Sequence, residues 1–173
     1  SEEVVLMTSA LAKLFRLSIS KGEERIPIFN EIEHVRSYLT IQKMRYRDKL
    51  DFEIDVDPEI YNYKTLKIIL QPLVENSIYH GIKNRGGAGK IRIKGKICDE
   101  KILLQVIDDG IGMDEEKIKR IFEDSGSSSR GSGVGVKNVN ERIHLYFGKD
   151  YGLDFISEHN HGTTVNIWLP MLD

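Results

Sequence analysis

The sequence predicts an α+β sandwich, in which helices cover one face of a mixed β-sheet. Segments with strict apolar–polar alternation, such as residues 50–56, are interspersed with segments of helical periodicity, such as residues 134–147. These segments do not follow a strict strand–helix–strand order, which argues against a purely parallel sheet. With 173 residues the chain can form one sizeable domain and an appended element.

Two helices are expected before the first strand. Apolar residues at helical spacing predict a helix over residues 4–19, which Ser20-Lys21-Gly22 would end. Asn30 and Glu33 have the spacing of a capping box, so a second helix over about residues 29–47 should start near Asn30. Both ordinary core packing and dimer formation are compatible with these helices. The expected buried face of the second helix carries Ile32, Val35, Leu39 and Tyr46.

The remaining elements follow from periodicity and turn residues. Residues 50–56 form a half-buried strand that Pro58 ends, and residues 65–80 return to a helical pattern. Pro72 lies inside that pattern and lacks an N–H, so a kink or a late helix start is expected. The later elements are strands at 90–98 and 101–108, a short helix within 113–132, a helix at 134–147, and strands at 152–157 and 163–169.

Charge and cysteine content narrow the classes of function. The 25 basic and 27 acidic residues give a net charge of −2, so no nucleic-acid partner is expected. The single Cys98 excludes an internal disulfide and a cysteine metal cluster, which suits a reducing cytoplasm. No apolar run approaches the roughly 18 residues of a membrane span, and no signal peptide is visible. We therefore expect a soluble fragment, with any membrane anchor of its parent protein lying elsewhere.

Three short segments carry the chemistry of a nucleotide site: residues 75–81 (ENSIYHG), 108–113 (DDGIGM) and 131–136 (GSGVGV). Each alone is a weak signal, because short glycine patterns recur by chance. Together they supply a metal-binding amide, a carboxylate on a tight turn, and a glycine-rich loop that opens a helix. This combination predicts a purine-nucleotide site without a Walker lysine, and we expect ATP as its ligand.

The three segments resemble the asparagine box and the two glycine boxes of the GHKL ATPase/kinase superfamily, which includes gyrase, Hsp90, MutL and histidine kinases. From about residue 10 to Pro170 the chain also resembles LytS/YesM-type sensor histidine kinases. The segments that carry this likeness are residues 14–18 (LFRLS), 31–39 (EIEHVRSYL), 41–46 (IQKMRY), 71–76 (QPLVEN) and 135–142 (GVKNVNER). The resemblance implies a Bergerat-fold α/β sandwich over residues 23–173. It also implies that residues 1–22 are the end of a helical dimerisation region.

Asp108 is the expected adenine-binding residue. It follows an apolar strand, and a carboxylate at a strand end can accept a hydrogen bond from the exocyclic amine of adenine. Gly110 and Gly112 would let the backbone approach the ring, and Met113 closes the segment. The resemblance implies the same role for Asp108. A plain Asp-Gly turn at the end of a strand is the alternative.

The asparagine segment is expected to hold the metal and part of the phosphate. The amide oxygen of Asn76 is a hard ligand that suits Mg²⁺, and the resemblance implies that role. Glu75 either orients a water or metal ligand or is a simple surface carboxylate, and His80 either contacts phosphate or is structural. Related kinases commonly have Lys where this chain has Tyr79, so either the phosphate-neutralising cation is missing or Lys83 or Arg130 substitutes for it.

The third segment is expected to bind phosphate through backbone N–H groups. Gly131, Gly133 and Gly135, with Val134 and Val136 between and after them, open a helix whose N-terminus favours anions. The serine-rich residues 125–130 are expected to act as a short lid, or are a surface loop. Thr163 and Thr164 resemble a late Gly-Thr element near the nucleotide, although strand threonines need no such role.

The resemblance implies the ATP-binding catalytic domain of a sensor histidine kinase, which transfers the γ-phosphoryl group to a histidine of the upstream dimerisation domain. The phosphate would pass to the receiver domain of a response regulator. The parent would be a homodimeric, membrane-anchored bacterial sensor, with this fragment on its cytoplasmic side. The Asn-Pro-His-Phe-type phosphoacceptor segment is absent here. An anti-sigma-type serine kinase, a GHKL conformational ATPase and a nucleotide-free regulatory module remain alternatives.

Overall fold

The computed structural model describes residues 1–19, 24–82, 86–123 and 134–173. Its helices are α1 (Glu2–Ser18), α2 (Ile28–Tyr46), α3 (Leu70–Asn76), α4 (Glu115–Glu123) and α5 (Val134–Phe147). Its strands are β1 (Arg25–Pro27), β2 (Leu50–Val56), β3 (Lys64–Leu66), β4 (Gly89–Cys98), β5 (Lys101–Asp108), β6 (Gly152–Glu158) and β7 (Gly162–Leu169). A π-helical turn, Ser77–Ile82, continues α3. The expected domain boundary at residues 22 and 23 lies outside the described residues.

The main sheet has five strands in the order β2-β4-β5-β7-β6. The β2–β4 pair is parallel and the other pairs are antiparallel, so the mixed sheet predicted from the sequence is confirmed. Helices α2, α3 and α5 contact β2, β5 and β6 respectively. Ile102, Leu104 and Val106 alternate along β5 and are fully buried in the common core. This arrangement places the carboxyl end of β5, and therefore Asp108, against α3.

The capping box expected at the start of α2 is wrong. The helix begins at Ile28 after Pro27, and no side chain caps it, so Asn30 and Glu33 do not form a capping box. The backbone N–H groups of Ile28 and Phe29 donate instead to the carbonyl groups of Tyr63 and Tyr61, at 2.8 and 3.1 Å. These long-range partners satisfy the helix terminus, so no local cap is required.

The helix expected over residues 65–80 is divided into other elements. Lys64–Leu66 forms β3, which pairs with β1 in a small antiparallel sheet that the sequence did not predict. Helix α3 then begins at Leu70, which confirms the late start expected from Pro72. Pro72 is the third residue of the helix, where a missing N–H removes no intrahelical hydrogen bond.

The two N-terminal helices differ in their burial. Helix α2 packs into the core through its apolar face, where Ile32, Val35 and Leu39 are buried. Helix α1 lies along α2, but Ala10 is its only buried residue. Phe15 is 58% exposed, and the other exposed apolar residues of this segment are Val4, Val5, Leu6, Leu11 and Ile19. Within the part of the chain that is described, no helix has the length and apolarity of a membrane span.

Candidate functional site

A narrow cavity lies where the asparagine segment meets the segment after β5. Its lining residues are Asn76, Ser77, His80, Gly81, Asp108, Gly112, Met113 and Thr163. The cavity volume is about 10 Å³, which is room for about one water molecule. A purine base is much larger, so its binding requires the lining side chains to move apart. The cavity brings the predicted residues Asn76, His80, Asp108 and Thr163 together.

The Asp108 carboxylate is buried at this cavity and is 5% exposed. Its Oδ1 accepts the backbone N–H of Gly110 at 2.9 Å. The Ser77 hydroxyl and the backbone N–H of Thr163 also donate to it. Burial raises the pKa of Asp108 to about 6, and these donors act in the opposite direction. At neutral pH the group is therefore a buried and mostly ionised hydrogen-bond acceptor.

Two glycines let the segments approach each other closely. A Cβ on Gly110 would overlap the backbone of Gly81, and a Cβ on Gly81 would lie 2.8 Å from Oδ1 of Asp108. The turn after β5 therefore contacts the π-helical turn backbone to backbone. Gly112 has a φ of +70°, and a Cβ there would overlap the carbonyl group of Glu158. Side chains at these positions would push the Asp108 segment away from the cavity.

The residues expected to bind metal and phosphate lie at the end of α3. Asn76 is the last residue of the helix, and the π-helical turn that follows contains His80. Such turns are rare and frequently mark functional sites. The His80 ring contacts Tyr79 edge to face, with 4.9 Å between centroids. Tyr79 is exposed and is not among the cavity-lining residues that the structure describes.

The residues present fit a magnesium ion that is held mainly by its nucleotide. Among the described residues there is no cluster of three or more His, Cys, Asp or Glu side chains able to enclose a metal. The Asn76 amide lines the cavity, and the Glu75 carboxylate adjoins it in sequence. Mg²⁺ commonly takes one or two protein oxygens and completes its shell with water and substrate phosphates. The donor set matches that pattern.

Several other predicted residues lie elsewhere or outside the described part. Gly135 lies against Pro72 of α3, and the Val136 side chain is buried in the core. Thr164, next to Thr163 on β7, lines a neighbouring hollow of about 430 Å³ with Ile107 and Ile156. The residues that cannot be placed are Lys83, Arg130, Gly131 and Gly133, the side chain of Val134, and the expected lid at 125–130.

Sequence reasoning missed Ser157, which joins the Asp108 segment to the last hairpin. Its hydroxyl accepts the backbone N–H of Met113 at 2.7 Å and lies 2.7 Å from the Thr163 hydroxyl. It also donates to the Gly162 carbonyl group at 3.0 Å. These contacts fix one wall of the cavity. A serine in an alternating strand gives no sequence signal of such a role.

Glu31 was also missed, although it holds the start of the site helix. Its carboxylate is fully buried and accepts the backbone N–H groups of Ile68, Ile69 and Leu70 at 2.8, 2.7 and 2.9 Å. Burial raises the pKa of Glu31, and the three N–H donors counteract that rise. The sequence gives one sign of this role. Glu31 lies one turn before Val35 on the apolar face of the helix, and a charged residue that is buried there needs hydrogen-bond partners.

Arg142 holds the same loop from the opposite side. Its guanidinium, on α5, donates to the carbonyl groups of Lys67 and Ile68 at 3.0 and 3.4 Å. Ile68 has a φ of +55°, a conformation that costs free energy in a β-branched residue. Glu31 and Arg142 together therefore hold a strained loop and set the position from which α3 starts.

A chain of side-chain hydrogen bonds connects α2 to the end of α3. Nε2 of His34 lies 2.7 Å from Oε1 of Gln71, and Nε2 of Gln71 donates to Oε1 of Glu75 at 2.9 Å. Tyr38, one turn after His34, also faces this region. Burial, and then the charge of Glu75, raise the pKa of Tyr38. Glu75 is therefore the exposed end of a series of hydrogen bonds that begins at the buried His34.

Comparison with protein families gives two matches. The family described as histidine kinase-, DNA gyrase B-, and HSP90-like ATPase matches residues 61–173. A second family, described as histidine kinase, matches residues 1–50. The two ranges correspond to the part that holds the cavity and to the N-terminal helices.

Curated relatives align along the whole chain. The chain is 37% identical to the sensor histidine kinase YesM of Bacillus subtilis over 98% of its length. It is 30% identical over 98% to the sensor protein LytS of Staphylococcus saprophyticus, and 28% identical over 100% to the sensor histidine kinase BtsS of Escherichia coli. The matched part is 28 to 29% of the length of these relatives.

Solved structures share the fold. The catalytic domain of the histidine kinase ThkA is similar with a TM-score of 0.62 and 20% identity, over 86% of this chain and 95% of that one. The Acinetobacter baumannii histidine kinase AdeS is similar with a TM-score of 0.63 and 17% identity, over 96% of this chain and 77% of that one.

Proposed function

Because the chain belongs to the family of histidine kinase-, DNA gyrase B- and HSP90-like ATPases, we propose that it positions Mg-ATP for γ-phosphoryl transfer to a histidine. The acceptor is a histidine on a separate dimerisation domain of the parent protein. The observation that supports this most directly is the buried, ionised Asp108 in the same cavity as Asn76. In this proposal Asp108 recognises adenine, and Asn76 binds the metal that the phosphates carry.

Asp108 selects adenine over guanine. Its carboxylate accepts a hydrogen bond from the exocyclic amine of adenine, whereas guanine has a carbonyl group at the corresponding position. Gly110, Ser77 and Thr163 already donate to this carboxylate and hold it in place. The carboxylate is therefore oriented before the nucleotide arrives, although the side chains around it must move apart to admit the base.

The other end of the site holds the phosphates. Bound Mg-ATP supplies the phosphoryl group and the positive charge that neutralises the transition state. Asn76 offers its amide oxygen to the metal, and His80 lies one turn further along, where it can contact a phosphate oxygen. The N-terminus of α5 adds backbone N–H groups and a favourable helix dipole. Catalysis in this chain is therefore positioning and charge neutralisation.

The partners follow from the parent protein rather than from this chain. Since the chain spans 28 to 29% of its relatives' length, we propose that the remainder supplies the phosphoacceptor histidine. The phosphate then passes to the receiver domain of a response regulator. We further propose that the parent is a homodimeric, membrane-anchored sensor with this domain in the cytoplasm. The match of residues 1–50 to histidine kinases favours this over an anti-sigma-type serine kinase or a conformational ATPase.

Nucleotide titration and phosphotransfer test the proposal. Calorimetry should show binding of ATP that Mg²⁺ strengthens, and at least tenfold weaker binding of GTP. Incubation with labelled ATP should place acid-labile phosphate on a separate fragment that carries the parent's phosphoacceptor histidine, and none on this chain. Equal binding of ATP and GTP would contradict the assignment of Asp108. Acid-stable phosphate on a serine of a partner would contradict the histidine acceptor.

A further inference from the structure

We propose that His34 and Gln71 are positioning residues, which hold the Glu75 carboxylate on the last turn of α3, next to Asn76 in the sequence, for contact with the acceptor imidazole. This inference rests on the proposed function and names residues that set the geometry of the transfer. Its basis is the hydrogen-bond chain His34–Gln71–Glu75, which joins a buried helix to the residue preceding Asn76.

The direction of the hydrogen bonds is fixed by chemistry. An ionised carboxylate only accepts, so the amide nitrogen of Gln71 must face Glu75. The amide oxygen of Gln71 then faces His34, and Nε2 of that ring must carry the proton. Reversing the Gln71 amide would place two oxygens against each other at 2.9 Å. The three side chains therefore have one stable pattern of hydrogen bonds.

The inner end of the chain is held by the core. His34 is 2% exposed, and its Nδ1 is buried without a hydrogen-bond partner in the described residues. Burying an unpartnered polar nitrogen costs free energy, so its presence needs a compensating role. Within the described part of the chain, Gln71 is the hydrogen-bond partner of the His34 ring.

Glu75, the outer end of this hydrogen-bond series, is the residue that would contact the acceptor. Glu75 is exposed, directly precedes Asn76 and lies on the last turn of α3. Free Gln and Glu side chains sample several rotamers, and each loses conformational entropy when it is ordered. The hydrogen bond from Gln71 supplies this ordering in advance. The remaining carboxylate oxygen can then accept the N–H of an incoming neutral imidazole and aim its other nitrogen at the γ-phosphorus.

Glu75 holds the acceptor ring by a hydrogen bond, and the transfer itself is unchanged. The N–P bond forms as the bond from phosphorus to the β,γ-bridging oxygen breaks, and ADP leaves with the electron pair. The N–H of the resulting phosphoimidazolium stays hydrogen-bonded to Glu75, and its proton is then released to solvent. A correctly oriented acceptor raises the rate of transfer without changing the affinity for ATP. That division between rate and affinity distinguishes a positioning role from a structural one.

The test compares four single variants and one double variant with a matched control on the whole 173-residue chain. His34→Phe and Gln71→Met break the hydrogen-bond chain with side chains of similar size, and Glu75→Gln removes the charge. His34→Gln restores an N–H donor. Ser37→Ala is the control, because Ser37 is also buried on α2 but bonds only to the Glu33 carbonyl group.

We expect about tenfold slower transfer to the separate histidine-bearing fragment for His34→Phe, Gln71→Met and Glu75→Gln. The affinity for ATP, with and without Mg²⁺, should stay within threefold of wild type. His34→Gln should recover most of the rate, and Ser37→Ala should match wild type. The double variant His34→Phe/Glu75→Gln should be no slower than Glu75→Gln alone, because both changes disable one contact.

Multiplying losses in the double variant would overturn the inference, as would a wild-type transfer rate in Gln71→Met. A loss of Mg²⁺-dependent ATP affinity in Glu75→Gln would overturn it too, because Glu75 would then act on the metal. These outcomes differ from failure of the proposed function, in which the wild-type chain binds no ATP or transfers no phosphate to histidine.

Discussion

At the scale of single residues, Asp108 is the residue that we propose to select adenine. Asp108→Asn replaces an acceptor with an amide that can present a donor to another donor, and burial of the position limits the access of solvent that would relieve that clash. We expect the affinity for ATP to fall by about a hundredfold and the preference over GTP to disappear. Calorimetry of both nucleotides measures this, and unchanged ATP binding would show that adenine lies elsewhere.

The raised pKa of Asp108 predicts a pH dependence of stability. Since burial raises the pKa from 3.8 to about 6, the folded protein binds this proton more tightly than the unfolded chain. Its stabilising contribution is complete below pH 3.8 and is lost as the pH rises through about 6. The loss is at most about 3 kcal/mol. Urea unfolding without nucleotide should show the stability of wild type falling relative to Asp108→Asn between pH 4 and 7.

Asn76 should act on the metal-dependent part of nucleotide affinity alone. Asn76→Ala removes the amide oxygen but leaves the Asp108 end of the cavity intact, because the two residues lie on different segments. Binding without Mg²⁺ should therefore match wild type within about twofold, and the gain on adding Mg²⁺ should disappear. A preserved Mg²⁺ effect would remove Asn76 from the metal site.

The meeting of Asp108 and Asn76 at one cavity could be predicted, because each lies in a short segment with a recognisable local pattern. Asp108 follows an apolar strand and precedes two glycines of the same turn. Ser157 and Glu31 could not be predicted, because the contact of Ser157 with Met113 spans 44 residues and the contacts of Glu31 with residues 68–70 span 37 to 39 residues. A single serine or glutamate gives no sign of a partner at that distance.

At the scale of elements, Glu31 acts as a long-range cap for α3. Glu31→Gln keeps the size but turns an amide N–H₂ toward three backbone donors, which leaves at least one of them unsatisfied. We expect a loss of about 1 to 3 kcal/mol in the free energy of unfolding, with weaker ATP binding. Glu33→Gln is the matched control, because Glu33 is on the same helix and pairs with the exposed Arg36.

Urea unfolding and nucleotide titration of the two variants separate the roles. If Glu31→Gln were as stable as Glu33→Gln, the three hydrogen bonds would contribute nothing net to holding α3. If it were less stable but bound ATP normally, Glu31 would support the fold without positioning the site.

The elements that periodicity predicted well are those with local determinants. β2 and α5 have the predicted bounds, Leu50–Val56 and Val134–Phe147, because their apolar patterns and turn residues are contiguous. The sequence did not predict the contacts that satisfy the N-terminus of α2 or the pairing of β1 with β3. Both depend on contacts between residues 25–29 and 61–66, which no local pattern encodes.

At the scale of the whole molecule, the sequence predicted the mixed sheet but not how α1 would be covered. Val4, Val5 and Phe15 remain exposed along this helix, because α2 buries only the side that contains Ala10. A contiguous exposed apolar surface favours association. A single short helix nevertheless contributes less than the roughly 1,000 Å² that a stable interface requires.

We therefore expect this chain to be a monomer, or a dimer with a dissociation constant in the micromolar range, although the parent is proposed to be a stable homodimer. Sedimentation at low and high concentration decides between these states. Phe15→Ser should abolish any association, since it removes the most exposed aromatic ring of α1. Leu145→Ser is the matched control, because Leu145 is 81% exposed but lies on α5, away from this helix. A dimer that persists on dilution, or that both substitutions weaken equally, would show that the catalytic domain carries an interface of its own.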